Sequence, residues 1–256
     1  MRLKKSIAFL KAIIAIQIFI FTPVSAWCRD LRASMAFLPK LLETPDKGMF
    51  VDLVKAIDDE YKEGIIIRKV YPFPRSLKNV IYGYADFHIP LFRNTILPPE
   101  QLPYAFTTAE LGKVVIVIYS HKEKRITAQM IRDAIGIEPF PYHIETINGL
   151  ETSFDFPLKT VNKIDSAMKK LSRHRIDAFI WAQEEADFTL KQLELKTIHR
   201  EHYRDFDDVL VIPKGPEGKE IDRILSTAIE KLRKSGRLKE LHSKVHVPYQ
   251  DWQPYE

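Results

Sequence analysis

Two histidine pairs and a scatter of arginines, amides and acids are the residues of this 256-residue chain with the clearest chemical capability. His242 and His246 stand four apart, the spacing that lets two imidazoles on one helix face share a metal ion. They lie near the C-terminus with no acidic pattern beside them, so a frayed helix end is expected there and no metal is expected anywhere. His199 and His202 are spaced similarly, but Arg200 and Arg204 beside them oppose a cation. The acidic runs at 58–60 and 205–208 read as solvated surface, not paired catalytic acids. No G-x-S-x-G, phosphate-binding glycine loop, G-x-G-x-x-G or H-E-x-x-H occurs, so no cofactor and no enzymatic activity is expected. What remains suits the holding of a small molecule. Arg75 and Arg93 can fork onto a carboxylate. Asn148, Gly149, Thr152 and Ser153 form a turn rich in donors, Phe37 can stack, and Gln183 and Glu184 can meet polar or cationic groups.

These groups need a scaffold, and its pattern is α/β: short apolar strands alternate with amphipathic helices. Residues 31–37 form a first strand. Phe50, Leu53, Val54 and Ile57 recur at helical spacing, so 49–61 is a helix closed by Gly64. Strand 65–70 follows, then a helix capped by Ser76 and closed by Gly83, then strand 86–89. Residues 113–120 are a buried strand. Strand 142–147 ends at the Asn148-Gly149 turn. A helix carries Ile164, Ala167, Met168 and Leu171, and strand 176–181 runs into a helix ending near Leu193. A short strand at 209–212 precedes the clearest helix, 219–234, with Gly236 beyond it. Two corners match in form. Gly83-Tyr84-Ala85-Asp86 and Arg173-His174-Arg175-Ile176-Asp177 each join a helix to a strand headed by an acid, as two lobes of like construction would.

Residues 1–26 read as a cleavable secretory signal. Arg2, Lys4 and Lys5 precede an apolar stretch at 7–21, and Val24-Ser25-Ala26 supplies a cleavage site. A membrane anchor is the weaker reading, because Lys11 interrupts the run and leaves too few residues to span a bilayer. The whole chain carries 39 Lys+Arg against 34 Asp+Glu. Four of the positive charges belong to the signal, so the remainder is near neutral and nucleic acid is not an expected partner. Cys28 is the single cysteine, which excludes an internal disulfide. Trp27 precedes it where a lipid-anchoring cysteine would need small residues.

Taken in order, these segments resemble the family 3 extracellular solute-binding proteins of bacteria. The likeness spans about residues 30–246. It rests on Lys47-Gly48-Met49-Phe50-Val51-Asp52-Leu53, on Pro72-Phe73-Pro74-Arg75-Ser76-Leu77 leading to Gly83-Tyr84-Ala85-Asp86, on Leu102-Pro103-Tyr104-Ala105-Phe106, on the corner within 168–179, and on the closing helix from 224 onward. The resemblance implies a type 2 periplasmic binding fold, two α/β lobes joined by two crossing strands that serve as a hinge. Lobe 1 would be 30–114 plus 208–256 and lobe 2 would be 115–207, with crossings near 113–119 and 208–212. It implies a periplasmic, monomeric receptor for a small polar solute, presented to an inner-membrane permease or a sensor. It also places Arg75, Arg93 and Phe37 at the cleft in lobe 1, and Asn148, Gly149, Thr152, Ser153, Gln183 and Glu184 in lobe 2. The family's usual clamp for an α-amino acid is missing. The position of its carboxylate-binding arginine is Pro98 and that of its ammonium-binding acid is Ala182. An organic anion or a modified amino acid is therefore the expected ligand. The alternatives are a dehydratase-like enzyme using Glu184, and a module that binds a protein and no solute.

Overall fold

The computed structural model describes residues 29–256, so the leader read at 1–26 and Cys28 lie outside the described residues. The chain folds as two half-sheets of the same design. In the first, β1 (Leu31–Ala36) lies between β2 (Ile66–Tyr71) and β3 (Phe87–Phe92), all parallel. In the second, β6 (Ile144–Ile147) lies between β7 (Lys159–Val161) and β8 (Ala178–Ala182), again parallel. Two long strands join them, β5 (Gly112–His121) and β9 (Ile198–Ile212), paired antiparallel over most of their length. The resulting order is β2-β1-β3-β9-β5-β8-β6-β7, with the short β4 (Ala105–Phe106) beside β9. Each half thus reads as parallel strands closed by one antiparallel crossing strand.

Helices cover the half-sheets because their apolar stripes demand it. On α1 (Met49–Glu60), Phe50, Leu53, Val54 and Ile57 are buried, and α6 (Gly215–Lys234) with α7 (Arg237–Val245) packs against it. The others are α2 (Phe73–Ile81), α3 (Ala128–Ala134), α4 (Ile164–Leu171) and α5 (Gln183–Gln192).

The two corners behave alike. At each, one residue takes a left-handed conformation, Gly83 at φ +74° and His174 at φ +52°. At each, the acid heading the strand accepts the backbone N–H of the neighbouring strand. Asp86 Oδ2 takes Arg32 N at 2.6 Å, and Asp177 Oδ2 takes His143 N at 2.8 Å. Burial alone would raise the Asp86 carboxyl, but Arg32 and Arg29 hold it below its usual range.

Four expectations are corrected. Ser76 does not cap α2: the helix begins at Phe73, where Pro72 and Pro74 suit a first turn, and buried Ser76 bonds His88 and Ser34. Gly64 is needed not for a helix end but for close approach, since a Cβ there would fall 2.3 Å from the Arg29 carbonyl. The acidic run 205–208, read as solvated surface, lies within β9. Within it Asp208 is buried, because crossing strands pass through the middle of the molecule.

Candidate functional site

A groove of about 750 Å³ runs between the two halves. Phe37, Leu38 and Pro39 beyond β1, with Pro72, Phe73 and Pro74 at the start of α2, form one wall. Asn148, Trp181, Glu185 and Phe188, with Asn162, Lys163 and Ile164 at the start of α4, form the other. Deeper in, Phe50, Phe92, Leu91, Val114 and Leu150 close the space to a cavity of about 40 Å³. The halves touch across it. Phe73 meets Trp181 edge-on at 6.2 Å, Phe92 meets Phe154 at 5.9 Å, Lys40 lies 3.6 Å above the Phe188 ring, and Asn94 Nδ2 donates to Thr152 O at 2.9 Å.

The polar centre of the groove is Glu185, which lines both the groove and the inner cavity. Trp181, four residues earlier in β8, donates its indole N–H to Glu185 Oε2. Burial pushes the Glu185 carboxyl up to about 7; the indole N–H offsets part of that shift and neighbouring Glu184 adds to it. At the other end, α4 begins without a side-chain cap, so its first N–H groups and positive dipole end are free to meet an oxygen.

The chain places the sequence-derived residues unevenly. Phe37, half exposed, and Asn148 line the groove. Gly149, at φ +101°, backs onto the Phe73 ring, where a Cβ would sit 3.9 Å away. Thr152 offers its carbonyl to Asn94, and Ser153 is buried with its N–H on Leu150 O. Arg93 does not line the groove: its guanidinium bonds Thr107 O at 3.1 Å and pairs with Asp207 at 3.4 Å. Arg75 is exposed and stacks on Tyr71 at 5.2 Å. Gln183 and Glu184 hold the C-terminal segment instead, Gln183 bonding Val247 O and Glu184 taking Val247 N and facing His246 Nδ1 at 3.2 Å.

Trp181, Glu185 and Phe73 were not singled out from the sequence. Trp181 looks like any strand-core aromatic, and Glu185 like a solvated first-turn acid. The usable signal was their i, i+4 spacing across the strand-to-helix junction.

Among the described residues, two groups of side chains have metal-compatible donors: His121, Glu123 and His174, of which the last two are exposed, and the buried Asp208, His242 and His246. His242, expected on a frayed end, is 12% exposed and His246 lies deeper. Burial alone would lower the His246 pKa, but Asp208 and Glu184 raise it to about 10. Asp208 is held below its usual range because its two histidines outweigh burial.

No protein-family model and no curated protein matches the chain. Among solved structures it is similar to a histidine kinase sensor domain with similarity to periplasmic binding proteins (TM-score 0.66, 13% identity, 85% of this chain and 96% of that one). It is also similar to an ancestral arginine-binding protein bound to arginine (TM-score 0.61, 17% identity, 85% and 98%). A third likeness is to the GluR0 ligand-binding core from Nostoc punctiforme in complex with L-glutamate (TM-score 0.60, 16% identity, 84% and 98%). At these identities the likeness is one of fold: the chain has the two-lobed, type 2 periplasmic binding architecture. Among the described residues, no helix is long and apolar enough to cross a membrane.

Proposed function

We propose that this two-lobed scaffold is an exported, non-enzymatic receptor that closes on one small solute in its groove and presents it to a permease or a sensor. Residues 30–114 with 208–256 act as one lobe and 115–207 as the other, and bending of β5 and β9 opens the groove. The observation that carries the reading is the groove itself. Its aromatic walls come from both halves and converge on one buried carboxyl, Glu185.

The lining sets the solute class. Among the described residues no arginine lines the groove and Lys163 is its one cationic side chain, so a dianion would lack a partner for its second charge. Phe37, Phe73, Trp181 and Phe188 suit an aromatic or aliphatic body. Glu185 suits an amine or another donor, and Asn148, Lys163 and the start of α4 suit an oxygen. We therefore assign a modified or apolar amino acid, or an amine, over a simple organic anion. The amino-acid receptors among the similar structures support this class. Glu184 is engaged by His246 and Val247, which argues against a dehydratase built on it.

The test is a thermal-shift screen of the purified protein against apolar amino acids and amines, dicarboxylates, and sugars. A ligand at 100 times its Kd adds about 2.7 kcal/mol of stability. A hit from the amine-bearing set, weakened at least tenfold in Glu185→Gln, is expected. A dicarboxylate hit that survives Glu185→Gln would overturn the assigned class. The inner cavity of about 40 Å³ favours a second reading, a periplasmic module that engages a protein and no solute. Silence across the whole screen would move the weight there.

A further inference from the structure

We propose that Asp208, His242 and His246 form a binding site for one divalent transition-metal ion of the zinc class, held between the crossing strand β9 and the end of α7. His242 and His246 stand one turn apart, so both imidazoles leave the helix on the side that faces β9. Asp208 Oδ2 lies 3.5 Å from His242 Nε2 and 3.5 Å from His246 Nε2. All three donor atoms fall within 4.8 Å of one another. Metal–ligand bonds of about 2.0–2.1 Å at tetrahedral angles place neighbouring donors about 3.3–3.5 Å apart. The two imidazole–carboxylate spacings are therefore those of a tetrahedral edge, while they are too long for good hydrogen bonds.

Three further observations converge. Asp208 Oδ2, His242 Nε2 and His246 Nε2 are each buried and without a hydrogen-bond partner, an expensive arrangement for three polar atoms aimed at one point. The His242 ring lies against Gly112 of β5, where a Cβ would fall 2.4–2.7 Å from its ring atoms, so a glycine is what lets the imidazole reach Asp208. On the far side of His246, Nδ1 faces Glu184 Oε1 at 3.2 Å. The pair does not meet hydrogen-bond geometry, but the carboxylate lies on the side of the ring opposite Nε2, where a small rotation would make the carboxylate–histidine–metal relay.

Asp208 and His246 also line the cavity of about 40 Å³, room for a water in the fourth position. Two imidazoles and one carboxylate suit zinc, nickel or copper and not calcium or magnesium. The ion would join β9, α7 and, through Glu184, the start of α5, so it would span elements of both half-sheets.

The test measures the ion alone and does not depend on what fills the groove. Chelator-stripped, tag-free protein is titrated with Zn²⁺ against a chromophoric competitor, and the Co²⁺ form is read by visible absorption. One tight equivalent and the intense bands of tetrahedral cobalt are expected. His242→Ala, at the least buried of the three positions and checked for fold by circular dichroism, should abolish that equivalent. Glu184→Gln should weaken it about 10- to 100-fold. Cys28→Ser and His174→Ala, the latter in the other histidine cluster, should leave it unchanged. The proposal fails if no zinc is retained against the competitor, if folded His242→Ala keeps the equivalent, or if Cys28→Ser or His174→Ala removes it.

Discussion

Arg200 gives a sharp energetic test, because its guanidinium is fully buried and ties the C-terminal segment to the second half of the molecule. Nε and Nη2 each donate to the Asp187 carboxylate at 2.6 Å, and Nη1 donates to Trp252 O at 2.6 Å and Gln250 O at 3.1 Å. Trp252 stacks on the same guanidinium at 4.1 Å. Gln253 completes the attachment by pairing with the Arg200 backbone N–H and C=O. Arg200→Met keeps the apolar stem but leaves Asp187, only 14% exposed, with the Tyr119 hydroxyl as its remaining polar side-chain partner. Removing one member of such a pair costs about 3–5 kcal/mol, because the remaining charge stays buried. Arg200→Lys keeps the charge but loses the fork, and should fall between the two. Arg200→Met with Asp187→Leu removes both charges and should recover most of the loss, so the coupling energy should be at least about 2–3 kcal/mol. Urea denaturation of wild type, Arg200→Met, Asp187→Leu, the double variant and Arg200→Lys gives these numbers, and limited proteolysis reports release of residues 247–256. A cost below about 1 kcal/mol for Arg200→Met, or additive single variants, would refute the argument that this buried fork holds the tail.

Other outcomes follow from the same structure. His88 is fully buried, and burial holds its pKa down at about 3 while the unfolded chain titrates near 6.5. Below pH 6.5 the unfolded state takes up a proton that the folded state refuses, so stability falls as pH drops. At pH 4.5 this one group costs about 3 kcal/mol. The stability difference between wild type and His88→Gln should shift by that amount between pH 7 and pH 4.5, read by denaturation at both; a constant difference would contradict it. Gly112→Ala should destabilise by about 1–3 kcal/mol through overpacking against His242, and should lower zinc affinity with it. Asp177→Ala should cost about 1–3 kcal/mol by orphaning the His143 N–H and the Lys124 partner, with the larger share from the backbone donor. Equilibrium unfolding checks both.

The architecture was legible where local pattern and global fold agree. The stripe of Phe50, Leu53, Val54 and Ile57 can only be an amphipathic helix, and the strand at 31–37 appears within one residue of its predicted span. The two acid-headed corners were visible as a repeated form. Both aspartates accept a backbone N–H, because an aspartate after a tight turn has backbone donors within reach whatever the tertiary context. The departures from the usual amino-acid clamp at Pro98 and Ala182 were visible too, since they need only counting.

The site was not legible to the same degree, for a physical reason. A side chain's type fixes what it can bind, but its partners fix whether it is free to do so. Arg93 was chosen as an anion binder and spends its guanidinium on Asp207 and Thr107. Glu185 resembled a solvated first-turn acid until its burial beside Trp181 raised its pKa. β9 was hidden because its first ten residues are mostly charged or histidine, with apolar groups only at Ile198, Tyr203 and Phe206 and no period of two, and only pairing with β5 makes them a strand. Asp208 lies 34 residues from His242 in sequence, and no local rule connects them. By itself the sequence determined most of the elements, the two acid-headed corners, and a two-lobed α/β plan. Only the tertiary structure decided which polar groups were buried together, because desolvation acts on the folded surface and not along the chain.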